Sequence, residues 1–413
     1  MLHVKLVKYL YIGITLLALV CPINFSFWSF VPGIILMWLF FILYYAGISN
    51  KAINFSQYNE IIEENRSHRI PIIIAIIYLL FYPFYIRYYT GNNIISTFMN
   101  FNSGISNYSQ YQLHFSGQGL GRFTLEKLPF ILGHGFLRFM FIGIVFRNII
   151  YKKNPSHINI ISMFIMVLVI ICLGIARGTS YEFFELFLIF FFAIVLKRFM
   201  SRSKKLISRK VMIRIIVVST IILIIFVYNI QVRMGDSFSF FKDPRFDHDA
   251  LIYKIAKPIA LVLFPLYDYF LFGIHFTSVI ITELWFSKVL GFIAMILPYG
   301  MDIIGMKDGY REFVGLYIDL GTRWTPDYIR LISSFGIILS FVLVYLLGRF
   351  SRILYSSLSK NLHASILLFY SCYIMFSFPV GNFITTSSAN LITIMLSLVF
   401  YRFNFISRRL FNM

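Results

Sequence analysis

Long apolar runs separated by short polar connections recur along the whole chain, and this pattern constrains the fold more than any other feature. Hydrophobic residues make up 59% of the 413 residues, and the mean hydropathy is +0.79. A helix needs ~20 apolar residues to cross the hydrocarbon core of a bilayer. By that rule we expect ten membrane-spanning helices, near residues 8–22, 27–47, 70–88, 130–146, 158–175, 181–196, 214–230, 330–348, 364–380 and 384–401.

The predicted fold class is all-α, a polytopic helical bundle in which residues 1–413 form a single transmembrane domain. The apolar runs are too long and too uniform for the alternating strands of a membrane barrel. Two further apolar stretches, 256–276 and 278–298, carry charged residues, and we interpret them as interfacial or re-entrant helices. If both cross the membrane instead, the bundle has twelve spans.

Positive charge is concentrated in alternate connections between these spans. With the N-terminus in the cytoplasm, the cytoplasmic connections hold more than half of the 37 Lys and Arg, but only Glu60, Glu63 and Glu64 among the 17 acidic residues. The positive-inside rule therefore predicts that both termini are cytoplasmic. Because topology accounts for most of the net charge of +20, no soluble basic face remains for nucleic acid, and we predict that the chain does not bind it.

Two connections on the opposite, external side are long enough to contain a site. They are residues 89–129 and the large periplasmic loop 231–329, whereas the cytoplasmic connections are short. The three cysteines stand singly in different spans and offer no spacing typical of metal ligands. We predict neither a metal nor another cofactor. Because only the external connections are long enough to contain a site, we expect any chemistry to take place on the external side.

Charged residues next to the spans are the first candidates for a site. Arg177 lies in a five-residue external turn, where it is either an interfacial anchor with Glu182 or Glu185 as counter-ion, or a phosphate ligand. His134 and Arg138 share one helix face at i, i+4 spacing, and we place them at the external end of the fourth span. Arg138 is either a snorkelling arginine or a ligand.

The large loop supplies further arginines. Arg233 follows the seventh span, and Arg311 and Arg323 precede the eighth. If these side chains converge on one external cavity, they form an anion-binding site.

The same loop contains the candidates for proton transfer. His248 lies between Asp247 and Asp249, an arrangement in which a carboxylate can orient the ring of a general acid or base. The spacing alone favours the alternative, an exposed histidine in a solvated charged run. Glu283 is a further candidate base by residue type, and the Asp-x-Asp pair is a weak signal for a divalent cation.

Short motifs in this chain resemble those of the O-antigen repeat-unit polymerases, in the O-antigen polymerase/ligase superfamily. They are Ala176-Arg177-Gly178-Thr179, Arg233 after the next span, and Gly321-Thr322-Arg323-Trp324-Thr325-Pro326 leading into Ser333-Ser334-Phe335-Gly336. The topology is also similar over most of the length, with one dominant external loop in the C-terminal half. The chain departs from the Arg-x10-Gly pattern of that family, since nine residues separate Arg311 from Gly321.

The resemblance implies a metal-independent, type C glycosyltransferase of the bacterial inner membrane that acts in lipopolysaccharide biosynthesis. Its substrates would be undecaprenyl-diphosphate-linked oligosaccharides, polymerised at the periplasmic face. By local motif, Arg177 and Arg233 match diphosphate-binding residues, and Arg311 matches less closely. A polysaccharide chain-length regulator is a further candidate partner.

Breaking the bond to a lipid diphosphate develops negative charge that fixed arginines stabilise. The acceptor hydroxyl must lose a proton, and His248 is the favoured base among His248, Asp247, Asp249 and Glu283. The nearest alternative function is an O-antigen ligase with the same donor. A lipid-linked oligosaccharide flippase is the second alternative, and it should place charged residues deep within several spans.

Overall fold

The structure of the chain is a computed structural model in which the regular elements are helices. Within the described residues, the β-structure consists of one antiparallel bridge between Ile23 and Phe246. The structure describes residues 2–20, 22–23, 25–49, 69–99, 107–119, 124–152, 155–201, 213, 217–221, 223–225, 246–286, 289–297, 326–358, 361–381 and 387–411.

The described ranges contain fifteen α-helices. They are α1 (Leu2–Val20), α2 (Val31–Ser49), α3 (Arg69–Thr90), α4 (Ile94–Met99), α5 (Asn107–Gly117), α6 (Leu128–Phe146), α7 (His157–Arg177), α8 (Tyr181–Met200), α9 (Leu251–Ile255), α10 (Lys257–Phe270), α11 (Phe272–Val279), α12 (Val289–Ile296), α13 (Asp327–Ser357), α14 (Leu362–Ser377) and α15 (Ser388–Phe411). Short 3-10 turns at Phe27–Phe30 and Leu125–Lys127 lead into α2 and α6, and π-helical turns extend α6 over Arg147–Tyr151 and α11 over Ile280–Trp285.

Six helices in the described part of the chain are long and apolar enough to cross a membrane. They are His3–Val20, Phe27–Ser49, Arg69–Thr90, Leu125–Tyr151, His157–Arg177 and Asp327–Ser357. Shorter apolar helices run over Phe272–Trp285, Leu362–Ser377 and Ser388–Phe403. The structure thus confirms an all-helical protein suited to a lipid bilayer, whereas the ten or twelve spans remain a prediction.

The apolar stretches within the large loop are helical, but they divide differently from the prediction. The sequence suggested segments 256–276 and 278–298, whereas the structure separates α10 from α11 at Leu271. The helix then continues through residue 277 into the π-helical turn that ends at Trp285. Hydropathy alone does not reveal this break, because Leu271 is as apolar as its neighbours.

The Cα positions group into two compact units. The first unit comprises residues 1–54, 238–356 and 370–386, and the second comprises residues 55–237, 357–369 and 387–413.

In the first unit, α2 packs against α1 and α11. The backbone N–H of Gly33 donates to Ser278 Oγ at 2.9 Å, which joins α2 to α11. The hydroxyl of Tyr11 on α1 donates to the carbonyl oxygen of Met375 at 2.8 Å. Helix α13 is interrupted at Gly336, whose φ of 76° and ψ of 162° suit a residue without a Cβ.

A buried polar network also lies in the first unit. The two ring nitrogens of His3 contact the hydroxyls of Tyr355 and Tyr44. The Tyr44 hydroxyl lies 3.1 Å from both Ser351 Oγ and Ser371 Oγ, and these two serines contact each other. Because both nitrogens of a buried imidazole need partners, the two tyrosines explain how His3 is accommodated among apolar side chains.

Helices α2 and α13 cross in direct backbone contact at two glycines. A Cβ on Gly47 would lie 2.2 Å from the carbonyl oxygen of Tyr345, and a Cβ on Gly348 would lie 2.2 Å from that of Tyr44. Small residues allow helices in a membrane to approach this closely.

We expect Gly47→Ala and Gly348→Ala each to lower the free energy of unfolding by about 1–3 kcal/mol, since the added methyl group forces the helices apart. Gly13→Ala in α1 is the matched control, because nothing lies within 4 Å of the added Cβ. Thermal unfolding in detergent measures the effect. Equal melting temperatures for the three variants would contradict a close crossing.

In the second unit, α3 packs along α7, and α6 packs against α15. Gly135 lies at the α6–α15 contact, where a Cβ would come within 2.7 Å of Ile392. Thr393 Oγ1 lies 3.4 Å from the carbonyl oxygen of Gly135, and the Tyr78 hydroxyl donates to the carbonyl oxygen of Leu137 at 3.0 Å. These contacts hold α6 between α3 and α15.

Candidate functional site

Arg177 is the last residue of α7, and a glycine turn fixes where the chain goes next. Gly178 has φ 59° and ψ 32°, and its N–H donates to the carbonyl oxygen of Ile175 at 3.0 Å. The N–H of Thr179 donates to the carbonyl oxygen of Gly174 at 3.0 Å. These two bonds form a Schellman motif, which favours glycine at the left-handed position. The chain then enters α8 within a few residues of Arg177.

The guanidinium of Arg177 is paired with Glu182, in the first turn of α8. Arg177 Nη1 donates to Glu182 Oε1 at 2.6 Å, and Thr179 Oγ1 donates to Glu182 Oε2 at 2.5 Å. The N-terminus of α8 also favours a carboxylate at this position. The Arg177 side chain remains 30% exposed, against 4% for Glu182. Glu182 therefore orients the guanidinium, while part of the Arg177 side chain stays accessible.

A second pair forms between Arg138 on α6 and Glu185 on α8. Arg138 Nη2 contacts Glu185 Oε1, and the two side chains are 9% and 5% exposed. Glu185 Oε1 also accepts a hydrogen bond from the Tyr181 hydroxyl at 2.9 Å. Asn390 Nδ2 of α15 donates to that hydroxyl at 3.3 Å. The second pair is thus buried among three helices.

The prediction that Arg138 lies at the external end of its span is wrong. Arg138 is midway along the continuous helical segment Leu125–Tyr151, roughly 20 Å from its start at 1.5 Å per residue. The helix begins before the apolar run does, because the polar residues Glu126 and Lys127 belong to its first turn. Snorkelling does not explain Arg138 either, since Glu185 supplies its counter-charge within the protein.

The described part of the 89–129 loop covers the ends of α3 and α7. Helix α5 packs against both of these helices. Asn107 Nδ2 donates to the carbonyl oxygen of Ile175 at 3.1 Å, and His114 Nε2 lies 3.0 Å from that of Tyr88. The Tyr111 ring centroid is 5.2 Å from Arg177 Cζ, a cation–π distance. Sequence reasoning did not select Tyr111, because nothing local links it to an arginine 66 residues later.

His134 lies on α6 one helical turn before Arg138 and contacts two tyrosines of α3. The Tyr82 hydroxyl lies 2.9 Å from His134 Nδ1, and the Tyr85 ring stacks on the His134 ring at a centroid distance of 4.7 Å. Glu182 and Glu185, the partners of Arg177 and Arg138, lie three residues apart on α8. The two ion pairs therefore belong to one region of the second unit, which we call the paired-arginine cluster: Arg138, Arg177, Glu182 and Glu185.

Chemically, this cluster offers one reachable cation. Its two arginines and two glutamates balance in formal charge, and one of the arginines is buried. The Arg177 side chain is 30% exposed and that of Arg138 is 9% exposed, so Arg177 is the more accessible arginine of this cluster. A guanidinium oriented in this way suits an oxyanion such as a phosphate oxygen.

Comparisons with known proteins identify no relative of this chain. No family model matches it, and no curated protein or solved structure matches it at a significant level.

The catalytic candidates His248 and Asp247 lie in an exposed turn of the first unit. The backbone N–H of Asp247 donates to the carbonyl oxygen of Pro22 at 3.2 Å, and Asp247 Oδ1 accepts from the N–H of Asp249 at 2.8 Å. The His248 side chain is exposed, with its ring centroid 5.0 Å from that of Phe246. The His248 side chain is therefore exposed, as expected for the alternative of a histidine in a solvated charged run.

Asp249 is held by a surface ion pair with Lys254 at 2.9 Å. The hydrogen bond and the positive charge of Lys254 keep the pKa of Asp249 below its usual value. Glu283 is exposed on the π-helical turn that ends at Trp285. In the described ranges, no group of three or more His, Cys, Asp or Glu is arranged to hold a metal ion.

Three predicted arginines, Arg233, Arg311 and Arg323, lie outside the described residues. Their assignment to diphosphate binding therefore stays a prediction from the sequence.

Proposed function

We propose that this protein is a membrane glycosyltransferase that polymerises undecaprenyl-diphosphate-linked O-antigen repeat units at the periplasmic face of the bacterial inner membrane. The proposal rests on the position, the ion pair and the exposure of Arg177. This arginine ends a helix of membrane-spanning length, is oriented by Glu182 and Tyr111, and is 30% exposed. The uneven distribution of Lys and Arg among the connections favours an external position for the turn that follows it.

The proposed reaction breaks the bond between the anomeric carbon of the donor glycan and its lipid diphosphate. Negative charge then grows on the leaving phosphate oxygen. A guanidinium that is already oriented stabilises this charge more than it stabilises the intact donor, and only that difference accelerates the reaction. Arg177 supplies such a group, and the sequence resemblance adds Arg233 and, less closely, Arg311 as further diphosphate ligands. Arg323 is a candidate from its position in the same external loop.

The new glycosidic bond forms when an acceptor hydroxyl attacks the anomeric carbon and gives up its proton. His248, Asp247 and Glu283 remain the candidate bases from the sequence. All three belong to the large loop, and the described side chains of His248 and Glu283 are exposed.

One observation favours a second candidate, a flippase or other transporter of lipid-linked oligosaccharides. Arg138 and Glu185 form a buried ion pair, and Arg138 lies midway along a membrane-length helix. Ionisable residues at such depth commonly mark a transport path or its gating elements. The O-antigen ligase uses the same type of donor as the polymerase, so the arginines favour neither of these two enzymes over the other.

A gel of surface polysaccharide from a strain that lacks this protein separates the three functions. Loss of the ladder with one repeat unit retained on the core lipid is the result expected of a missing polymerase. Loss of every repeat would instead indicate a ligase or a flippase. Polymer left on the lipid carrier would then identify the ligase, and unpolymerised units facing the cytoplasm would identify the flippase.

A further inference from the structure

The two glutamates of the paired-arginine cluster lie three residues apart on α8, so they occupy neighbouring positions on one side of that helix. Glu182 pairs with Arg177 and Glu185 pairs with Arg138. We propose that Arg138 and Glu185 are a positioning pair, which fixes the first turn of α8 so that Glu182 orients Arg177. Arg138 itself does not contact substrate. This inference rests on the proposed function.

Burial distinguishes the roles of the two arginines. The Arg138 side chain is 9% exposed, and its partner Glu185 is 5% exposed. The Arg177 side chain is 30% exposed. Because a residue that touches a lipid diphosphate must be reachable, Arg177 meets this condition and Arg138 does not.

The contacts of Glu185 link α8 to two other helices. Glu185 accepts from Arg138 of α6 and from Tyr181, which in turn accepts from Asn390 of α15. Helices α6 and α15 pack closely at Gly135, which fixes the positions of Arg138 and Asn390 relative to each other. The start of α8 is thereby tied to the rest of the second unit one turn after the residue that holds Arg177.

A further contact connects α8 with the end of α7. A Cβ on Gly174 would lie 3.2 Å from Glu182 Cβ and 3.1 Å from the Phe183 ring. Helices α7 and α8 are therefore in close contact at Glu182, and any shift of α8 against α7 displaces this side chain. If the Arg138–Glu185 pair is lost, we expect Glu182 to move and the Arg177 guanidinium to lose its orientation.

Glu185→Gln tests the proposal against direct substrate binding by Arg138. In a positioning pair, Arg138→Gln and Glu185→Gln disturb the same contact, so both should lower kcat and leave KM nearly unchanged. If Arg138 bound the diphosphate directly, removing its counter-ion would free it for the ligand. Glu185→Gln would then bind the donor as tightly as the wild type or more tightly.

The experiment uses the purified full-length protein in lipid nanodiscs, with undecaprenyl-diphosphate-linked repeat units extracted from the deletion strain. Rates are normalised to the folded fraction. We expect Arg138→Gln and Glu185→Gln each to lower kcat by about tenfold to a hundredfold, because misplacement of a catalytic group by 1 Å costs up to ~10²-fold. The double variant should be no slower than either single variant, since the two act as one unit.

Conservative variants cover the case in which a glutamine variant does not fold. Arg138→Lys and Glu185→Asp retain opposite charges and should lose less activity. Arg87→Gln is the matched control, because Arg87 is an exposed arginine in the last turn of α3. Its kcat and KM should equal those of the wild type.

Three results would overturn the positioning role. They are a raised KM confined to the Arg138 variants, additive losses in the double variant, and an unchanged kcat per folded molecule. Arg177→Ala separates this failure from failure of the function. If Arg177→Ala is inactive while the pair variants are fully active, only the positioning role is wrong. A fully active Arg177→Ala would instead remove the main support for the proposed function, which the polysaccharide gel of the deletion strain tests independently.

Discussion

Arg177→Ala is expected to replace the polysaccharide ladder with single-repeat lipopolysaccharide, while the protein stays inserted in the membrane at its normal level. In the proposed reaction, Arg177 stabilises charge on the departing diphosphate. Loss of one preorganised donor of this kind typically costs about 10²–10³-fold in rate. The measurement is a gel of surface polysaccharide from the deletion strain complemented with the variant.

The matched variants make this result specific. Arg177→Lys keeps the charge and loses the planar fork, so we expect a shortened ladder. Arg87→Ala removes an exposed arginine from the last turn of α3 and should leave the ladder unchanged. A full ladder from Arg177→Ala at normal protein levels would remove the main support for the proposed function.

Three of the predicted spans match described helices closely. The runs 27–47, 70–88 and 158–175 correspond to Phe27–Ser49, Arg69–Thr90 and His157–Arg177, with ends that differ by no more than two residues. Membrane-spanning length is a local property of the chain, because it depends on how many consecutive residues are apolar. Where polar residues begin the helix, as at Leu125–Lys127, hydropathy places the start too late.

Hydropathy and local spacing do not predict which glutamate pairs with which arginine. Glu182 and Glu185 are both close to Arg177 in sequence, and either could have been its counter-ion. The structure assigns Glu185 to Arg138 instead, because α6 lies against α8. That contact joins residues 47 positions apart, and no local pattern encodes it. The contact between Tyr111 and Arg177 escapes prediction for the same reason.

Arg138→Ala is expected to lower the free energy of unfolding by about 3–5 kcal/mol, because it leaves the buried carboxylate of Glu185 without its counter-charge. Glu185→Ala should have a similar cost, since it leaves a buried guanidinium. Thermal unfolding of the purified protein in detergent measures both. Asp249→Asn is the control: it breaks an ion pair whose side chains are 92% and 58% exposed, and such surface pairs contribute little.

The double variant Arg138→Met with Glu185→Leu should recover most of the lost stability, because apolar side chains of similar size remove the unpaired charge and fill the space. It should not recover activity, since a methionine–leucine contact lacks the directional hydrogen bonds that hold the start of α8. Stability and positioning are then measured separately in one protein. A double variant as unstable as either alanine variant would contradict this account of the destabilisation, because no charge would be left to explain it.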